Sequence, residues 1–330
     1  MNPTILTLVI LFSSLIFIFL VLYLVLEISF RKLFSKRGDG HPSIRYYLFQ
    51  EFPLLEREKM SFMSKGCLLH GYIYKNKNIK NYKALIVMVH GIGFGHSYLF
   101  PLINFFTKNG YLILAYDQTA SGISEGRRIK GFTSALIDIE NALEFIKSDQ
   151  NLQNYPLYLF GHSWGGYAVI NALNFDKFCI KKVISVSGFN SEIDFYISVK
   201  PFLRYLKPIL FLYEYLHYGK YVKFNAYDAL IKTNADVLFL QGKDDITVPL
   251  SISGDLFNKI NNPHVEVKLL DNKGHTPFVD EHSQKMQNEV MSQYGFLGGV
   301  DIPLDKGVDY RKISIPDENV YKMMLDFYNK

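Results

Sequence analysis

Two segments of this chain read Gly-x-Ser-x-Gly, Gly122 to Gly126 and Gly161 to Gly165. A serine in such a setting offers one kind of chemistry: its hydroxyl attacks an acyl carbonyl once a base takes the proton. The pattern works as a nucleophile site only where a strand runs straight into the serine and a helix leaves it. The strained turn then pushes Oγ out above a sheet, and the small flanking residues relieve the crowding. Ser163 has that context, with the apolar strand Leu157-Tyr158-Leu159-Phe160 before it and the helix-forming run Tyr167 to Leu173 after it. Ser124 lies well past a strand ending at Tyr116 and is followed by Arg127 and Arg128. It would also put Glu125 where the amide after a nucleophile must stabilise negative charge. Ser163 is therefore the expected nucleophile and Ser124 a loop residue.

Nine histidines compete to be the base. His275, in Asn272-Lys273-Gly274-His275-Thr276, follows the last predicted strand, at the edge where a parallel sheet presents side chains. His264 precedes that strand, and His282 falls on a solvated helix beyond it. The acid is expected after the intervening strand, in Gly242-Lys243-Asp244-Asp245-Ile246-Thr247-Val248-Pro249. The spacing G-x-x-D-x-x-V-P selects Asp245, with its neighbour Asp244 as the alternative that would cap a turn. Ser163, Asp245, His275 in that chain order is one of the orders in which a nucleophile, an orienting acid and a base are known to assemble. Negative charge on the attacked carbonyl calls for two backbone donors. Trp164, directly after the serine, supplies one, and Ile92 in the glycine-rich loop Val89 to His96 supplies the other. His90 and His96, spaced along that loop without carboxylates beside them, make poor zinc geometry, and neither metal nor cofactor is expected.

These residues need a scaffold, and the pattern from Ser61 onward is strand, loop, helix repeated. A hairpin is expected at 61–74 around Gly66. Buried strands follow at 84–89, 111–116, 156–160, 182–186, 236–240 and 265–270, with helices at about 98–108, 131–148, 164–174, 249–260 and 318–328. Such alternation implies an α/β architecture, a doubly wound, mostly parallel sheet covered on both faces. The gap between the strands ending near Ser187 and starting near Asp236 is far longer than one crossover needs, so residues at about 190–232 read as an inserted helical cap. A second surplus covers 283–315.

The N-terminal segment is different in kind. From Ile5 to Leu26 there is no charged residue, and at ~1.5 Å per residue a helix there reaches about 33 Å, enough to cross a bilayer. With no basic residue before the run and no small-x-small site after it, the segment reads as an anchor over residues 1–30 rather than a cleaved signal. Arg31, Lys32, Lys36 and Arg37 follow it, which predicts a cytoplasmic catalytic part. Residues 31–60 form a connector whose aromatic half would lie on the bilayer or pack on the core, and 61–330 the catalytic domain. The formal charge of +5 is modest and partly local to that basic stretch, so no nucleic-acid partner is expected. Cys67 and Cys179 are too few for a disulfide framework.

His90-Gly91-Ile92-Gly93 with His96, the stretch Tyr116-Asp117-Gln118 to Gly126, the elbow Gly161 to Gly166, Gly242 to Pro249 and Gly274-His275 together resemble the monoacylglycerol-lipase and serine-aminopeptidase-like branch of the α/β-hydrolases, over about residues 61–280. The resemblance implies a mobile cap over the triad and ester hydrolysis through an acyl-enzyme without a cofactor. One stretch departs from it: that branch reads D-x-R-G-x-G-x-S where this chain has Asp117-Gln118-Thr119-Ala120-Ser121-Gly122-Ile123-Ser124, with no arginine. The aromatic density of the cap (Phe195, Tyr196, Phe202, Tyr205, Phe211, Tyr213, among others) beside an anchor predicts a lipid-like acyl ester or lysophospholipid as substrate. Two further readings stay open: a peptidase whose cap holds the substrate amine through Glu192, Asp194 or Glu214, and a non-catalytic binding member of the fold.

Overall fold

The computed structural model describes residues 2–40, 43–93, 95–294 and 307–330, with 291–294 by backbone alone. Helix α1 spans Pro3–Leu33 and is capped by Asn2, whose side-chain oxygen accepts the Thr4 amide, with proline at the first helical position. It is long and apolar enough to cross a membrane. After it come β1 (Ile44–Arg45), β2 (Leu55–Ser64), β3 (Cys67–Asn76), β4 (Leu85–Val89), α2 (Phe100–Lys108), β5 (Leu112–Tyr116), α3 (Ser134–Ser148), β6 (Leu157–His162), α4 (Trp164–Asn171) and β7 (Ile180–Val186). The cap helices α5 (Glu192–Val199), α6 (Lys207–Tyr218) and α7 (Ala226–Lys232) precede β8 (Asp236–Gly242), α8 (Gly254–Phe257), β9 (Val265–Leu270), α9 (Glu281–Tyr294), β10 (Val308–Asp309) and α10 (Glu318–Asn329).

Among the described residues β2 to β9 form one sheet in the order β2-β3-β5-β4-β6-β7-β8-β9. The hairpin β2/β3 and the β3/β5 pair are antiparallel, and every other neighbour is parallel. The expected doubly wound sheet is therefore present. Its central strands β4 and β5 are buried at every residue, as continuous apolar runs require, whereas β2 at the edge keeps exposed positions. The chain leaves β4 toward β5 on one side and returns across it to β6 on the other. The loops after β4 and β6 thus diverge and open a crevice at their carboxyl ends.

Several expectations change in detail. The hairpin begins at Leu55, six residues before the expected start at Ser61, because β2 pairs with β3 along its whole length from Leu55↔Asn76 to Ser64↔Cys67. The aromatic half of the connector packs on the core rather than lying free for a bilayer: Phe49 meets Tyr74 and Phe100, Phe52 meets Phe100, and β1 pairs in parallel with β10. The helix expected at 249–260 is broken. Ser253 leaves helical geometry (φ −148°, ψ −108°), and its hydroxyl lies 2.7 Å from Gln241 Oε1 and 2.8 Å from the Pro249 carbonyl. Of the surplus at 283–315, residues 295–306 lie outside the described residues, and the flanks form α9 and β10.

Helix α1 is exposed along its apolar length, but its last turns enter the protein. Leu26, Phe30 and Phe34, four residues apart, are buried against the cap and the core. Phe30 packs edge-on to Tyr196 at 4.6 Å, Phe34 against Phe132 at 5.3 Å, and Tyr23 against Tyr213 at 5.6 Å between ring centroids.

Candidate active site

Strand β6 ends at His162 and α4 starts at Trp164, so Ser163 alone makes the turn, with φ 57° and ψ −117°. A non-glycine residue there is strained by about 1–3 kcal/mol, a cost that surrounding structure must impose. The glycines around it are required by close approach: a Cβ at Gly161 would fall on the Gly165 carbonyl, and one at Gly165 on the Val89 carbonyl.

His275 Nε2 stands 2.8 Å from Ser163 Oγ, and its Nδ1 stands 3.0 and 3.1 Å from the two Asp245 oxygens. Asp245 also accepts the Thr247 and Val248 amides at 2.9 and 3.0 Å and the Gln241 side-chain amide at 3.2 Å. Burial on its own would raise this carboxyl, but the charge and hydrogen bond of His275, with those two amides, outweigh it and hold the group below the ordinary aspartate value. Its neighbour Asp244 is exposed. His264 pairs with Asp236 at the opposite edge of the sheet, and His282 is exposed on α9.

Trp164 is the first residue of α4, so its amide has no helical acceptor and remains available above the serine. Ile92, in the turn after β4, shares with Ser163, Phe132, Phe189, Phe195, Thr247 and Val248 the wall of a cavity of about 190 Å³. The structure thus brings all five expected site residues to one crevice.

Two sets of supporting residues escape a reading by spacing. His162 is buried, and burial, then the neighbouring His275, pushes its imidazole down to about 3. It is neutral, so its Nε2–H donates to the His275 carbonyl at 2.9 Å and its Nδ1 accepts from the Tyr98 hydroxyl at 2.9 Å. Tyr98 in turn accepts the Gly91 amide at 3.0 Å. The loop of His275 and the loop of Ile92 are therefore joined through His162 and Tyr98. The only sequence signal for this link is that His162 sits inside the elbow.

The second set is the connector. Arg37 donates to the carbonyls of Gly122 at 2.9 Å and Ser124 at 3.0 Å, and to that of Gly126. The loop that lacks its own arginine receives one from the segment after α1. The Gly38 amide donates to Ala120 O at 2.7 Å and the Gly40 amide to Gly93 O at 3.0 Å, next to the Ile92 turn. Nothing in the spacing of residues 36–40 announces this contact.

The remaining candidates other than Glu214 have structural partners. His90, lowered to about 4 by burial, accepts the Gln118 amide and donates to Gly91 O. His96 Nδ1 pairs with Asp117 at 2.7 Å and its Nε2 with the Tyr74 hydroxyl at 2.7 Å. Glu192 accepts the Phe132 and Thr133 amides at 2.8 and 2.5 Å, and burial raises its carboxyl. Burial, then the charge of Glu192, raises Glu214 well above the usual carboxylate range. Asp194 is held by Asn190 and Ser191.

Residues 80–210 match the family described as Hydrolase_4, serine aminopeptidase S33. The chain is 30% identical over 92 residues to the monoglyceride lipase of Saccharomyces cerevisiae, which is 27% of this chain and 29% of that protein. It is 28% identical over 134 residues to the proline iminopeptidase of Chitinophaga pinensis, 38% of this chain and 40% of that one. The matched stretches therefore span less than half the length of either relative. An esterase of Pyrococcus furiosus superposes with a TM-score of 0.56 at 16% identity, over 79% of this chain and 99% of its own. Acetyl xylan esterase 1 of a Thermoanaerobacterium does so at 0.53 and 17%, over 74% and 85%. The chain has the α/β-hydrolase fold. Its sequence likeness falls in the monoglyceride-lipase and serine-aminopeptidase branch of those proteins.

Proposed function

We propose that the protein is a serine hydrolase of carboxylic esters with a lipid-like acyl group, and that Ser163, His275 and Asp245 carry the reaction. The observation that carries the reading is the hydrogen-bonded line Ser163–His275–Asp245 opening onto a cavity lined almost wholly by apolar side chains. Ser163 Oγ attacks the carbonyl carbon while His275 Nε2 takes its proton. Asp245 keeps Nδ1 protonated and steadies the imidazolium. The amides of Trp164 and Ile92 stabilise the oxyanion. The imidazolium then gives its proton to the leaving alcohol, and water, activated by the same base, releases the acid from the acyl-enzyme.

The apolar cavity also favours an ester over an aminopeptidase substrate. Glu192, Asp194 and Glu214 are absent from its lining, and an ammonium placed there without a carboxylate would be costly. Hydrolysis of p-nitrophenyl esters from acetyl to palmitoyl, beside a panel of aminoacyl anilides, tests the reading. Rising efficiency with chain length and no anilide turnover are expected. Turnover of anilides that depends on a free amine would replace the esterase with a peptidase.

We further propose that α1 anchors the protein, with residues 31–330 on the cytoplasmic side. The burial of Phe30 and Phe34 against the body supports an anchor that stays, because a cleaved signal would leave that surface open. The basic residues after the helix support the orientation. Release of a soluble chain lacking α1 would disprove the anchor.

A further inference from the structure

Two cavities adjoin beneath the cap. The smaller touches Ser163. The larger, about 360 Å³, has one wall made of Leu22, Val25, Ser29 and Leu33 of α1 and another made by Val199 and Phe202 of the cap rim. Among the described residues Ile92, Phe132 and Phe195 border both, so these three side chains form the partition shared by the space at Ser163 and the space at the helix.

Leu22, Val25, Leu26, Ser29, Phe30 and Leu33 recur three and four residues apart and lie on one face of α1. Leu26 and Phe30 fix that face to the cap, and the Glu27 carboxylate, 3.5 Å from His217 Nε2, ties α1 to α6. Leu24 and Ile28 on the rest of the helix are 57% and 58% exposed and continue the apolar surface that runs back to Ile5. Around the mouth, Val199 and Phe202 are 58% and 60% exposed. A cavity with one wall continuous with a membrane-crossing surface opens toward lipid.

We propose that this face of α1, with the rim at Val199 and Phe202, forms an acyl-chain channel by which the single chain of a bilayer-resident ester reaches Ser163 without passing through water. Taking the chain through water would cost roughly a fourfold factor per exposed methylene, and a wall shared with the bilayer avoids it. The channel rests on the ester-hydrolase reading above and adds to it the source of the substrate and a role for the anchor in specificity.

The test uses the full chain in phosphatidylcholine vesicles, with p-nitrophenyl palmitate and p-nitrophenyl acetate as probes. Ser29→Trp fills the channel from the helix and Val199→Trp from the cap, while Leu11→Trp changes a lipid-facing position remote from it. Both blocking variants should lower kcat/KM for the palmitate by at least about tenfold and leave the acetate within about twofold, since a short chain needs only the space at Ser163. Leu11→Trp should match the wild type on both probes. Unchanged palmitate turnover in both blocked variants would overturn the channel while leaving the esterase reading intact, as would an equal loss on both probes. No turnover of either probe by the wild type would overturn the esterase reading itself and the channel with it. A palmitoyl fluorophosphonate with a photoreactive group at its chain end should, once bound to Ser163, crosslink to residues 22–34 or 195–206. Crosslinks confined to other segments would also overturn the channel.

Discussion

The two Gly-x-Ser-x-Gly segments share a spelling and almost nothing else. At 161–165 the serine stands alone between a strand and a helix, with its hydroxyl 2.8 Å from an imidazole and a cavity in front of it. At 122–126 the serine hydroxyl is consumed by the backbone: it accepts the His70 amide at 2.8 Å and donates to the Asp117 carbonyl at 2.6 Å. The carbonyls of that second segment are gathered by Arg37, and Glu125, the residue that argued against catalysis there, accepts the Leu68 amide at 2.8 Å. A motif of this kind is a statement about backbone geometry. Whether it does chemistry depends on what faces the hydroxyl, and at Ser124 both faces are protein backbone.

The largest effect should come from Ser163→Ala. Loss of fluorophosphonate labelling and a fall in kcat/KM of roughly four orders of magnitude or more are expected, with His275→Ala close behind. Ser124→Ala should label and turn over substrate like the wild type. A dead Ser124 variant would break the comparison outright.

Asp117, which organises the second segment, should matter next, and for folding. It is buried and accepts the His96 amide at 2.6 Å, His96 Nδ1 at 2.7 Å and the Ile123 amide at 2.9 Å. Asp117→Ala should cost about 3–5 kcal/mol in chemical denaturation, because it strips partners from buried polar groups. Burial would raise its carboxyl, but the charge and hydrogen bond of His96, then His90 and the Ile123 amide, hold it well below the ordinary aspartate value. A carboxyl lowered on folding contributes its full stability above the unfolded value and loses it as pH falls below. Asp245 is displaced in the same direction and has the same sign. The thermal midpoint should therefore drop between about pH 4 and 2, and Asp117→Asn should flatten that drop. An identical acid profile for this variant would remove Asp117 from the account.

The smaller effects sharpen the contrast between the segments. Arg37→Ala should destabilise by about 1.5–3 kcal/mol by freeing three carbonyls from a charged donor. Faster hydrogen exchange confined to the amides of residues 118–129 should accompany it. Arg37→Lys should recover only part of the loss, since an ammonium lacks the planar fork that reaches several carbonyls at once. Ser124→Ala should cost least, about 1–2 kcal/mol, the price of one unmet buried amide. A neutral result there would mean that the hydroxyl is replaceable by relaxation of the loop.

The elements nearest the chemistry were the easiest to read in the residues, and those farthest from it in sequence the hardest. Strands β4 to β9 announce themselves as short apolar runs between loops, and the elbow, the Gly242 to Pro249 stretch and the Gly274-His275 pair sit at their carboxyl ends. The start of β2 at Leu55 was hidden because Glu56, Arg57, Glu58 and Lys59 cover an exposed edge, where polarity looks like a loop. The break at Ser253 depends on Gln241, a residue of the preceding strand.

The sequence by itself determined a doubly wound sheet, a long apolar first helix and the strand–turn–helix setting that Ser163 has and Ser124 lacks, because each follows from local periodicity or from the order of elements around one residue. Only the tertiary structure decided that Arg37 completes the loop at Gly122 to Gly126, that His162 and Tyr98 join the loops of His275 and Ile92, and that Leu22 to Leu33 wall a cavity adjoining the one at Ser163. These are contacts between segments tens to more than a hundred residues apart. Their energy comes from burial and from pairing backbone groups across the fold, and neither leaves a periodic mark in the chain.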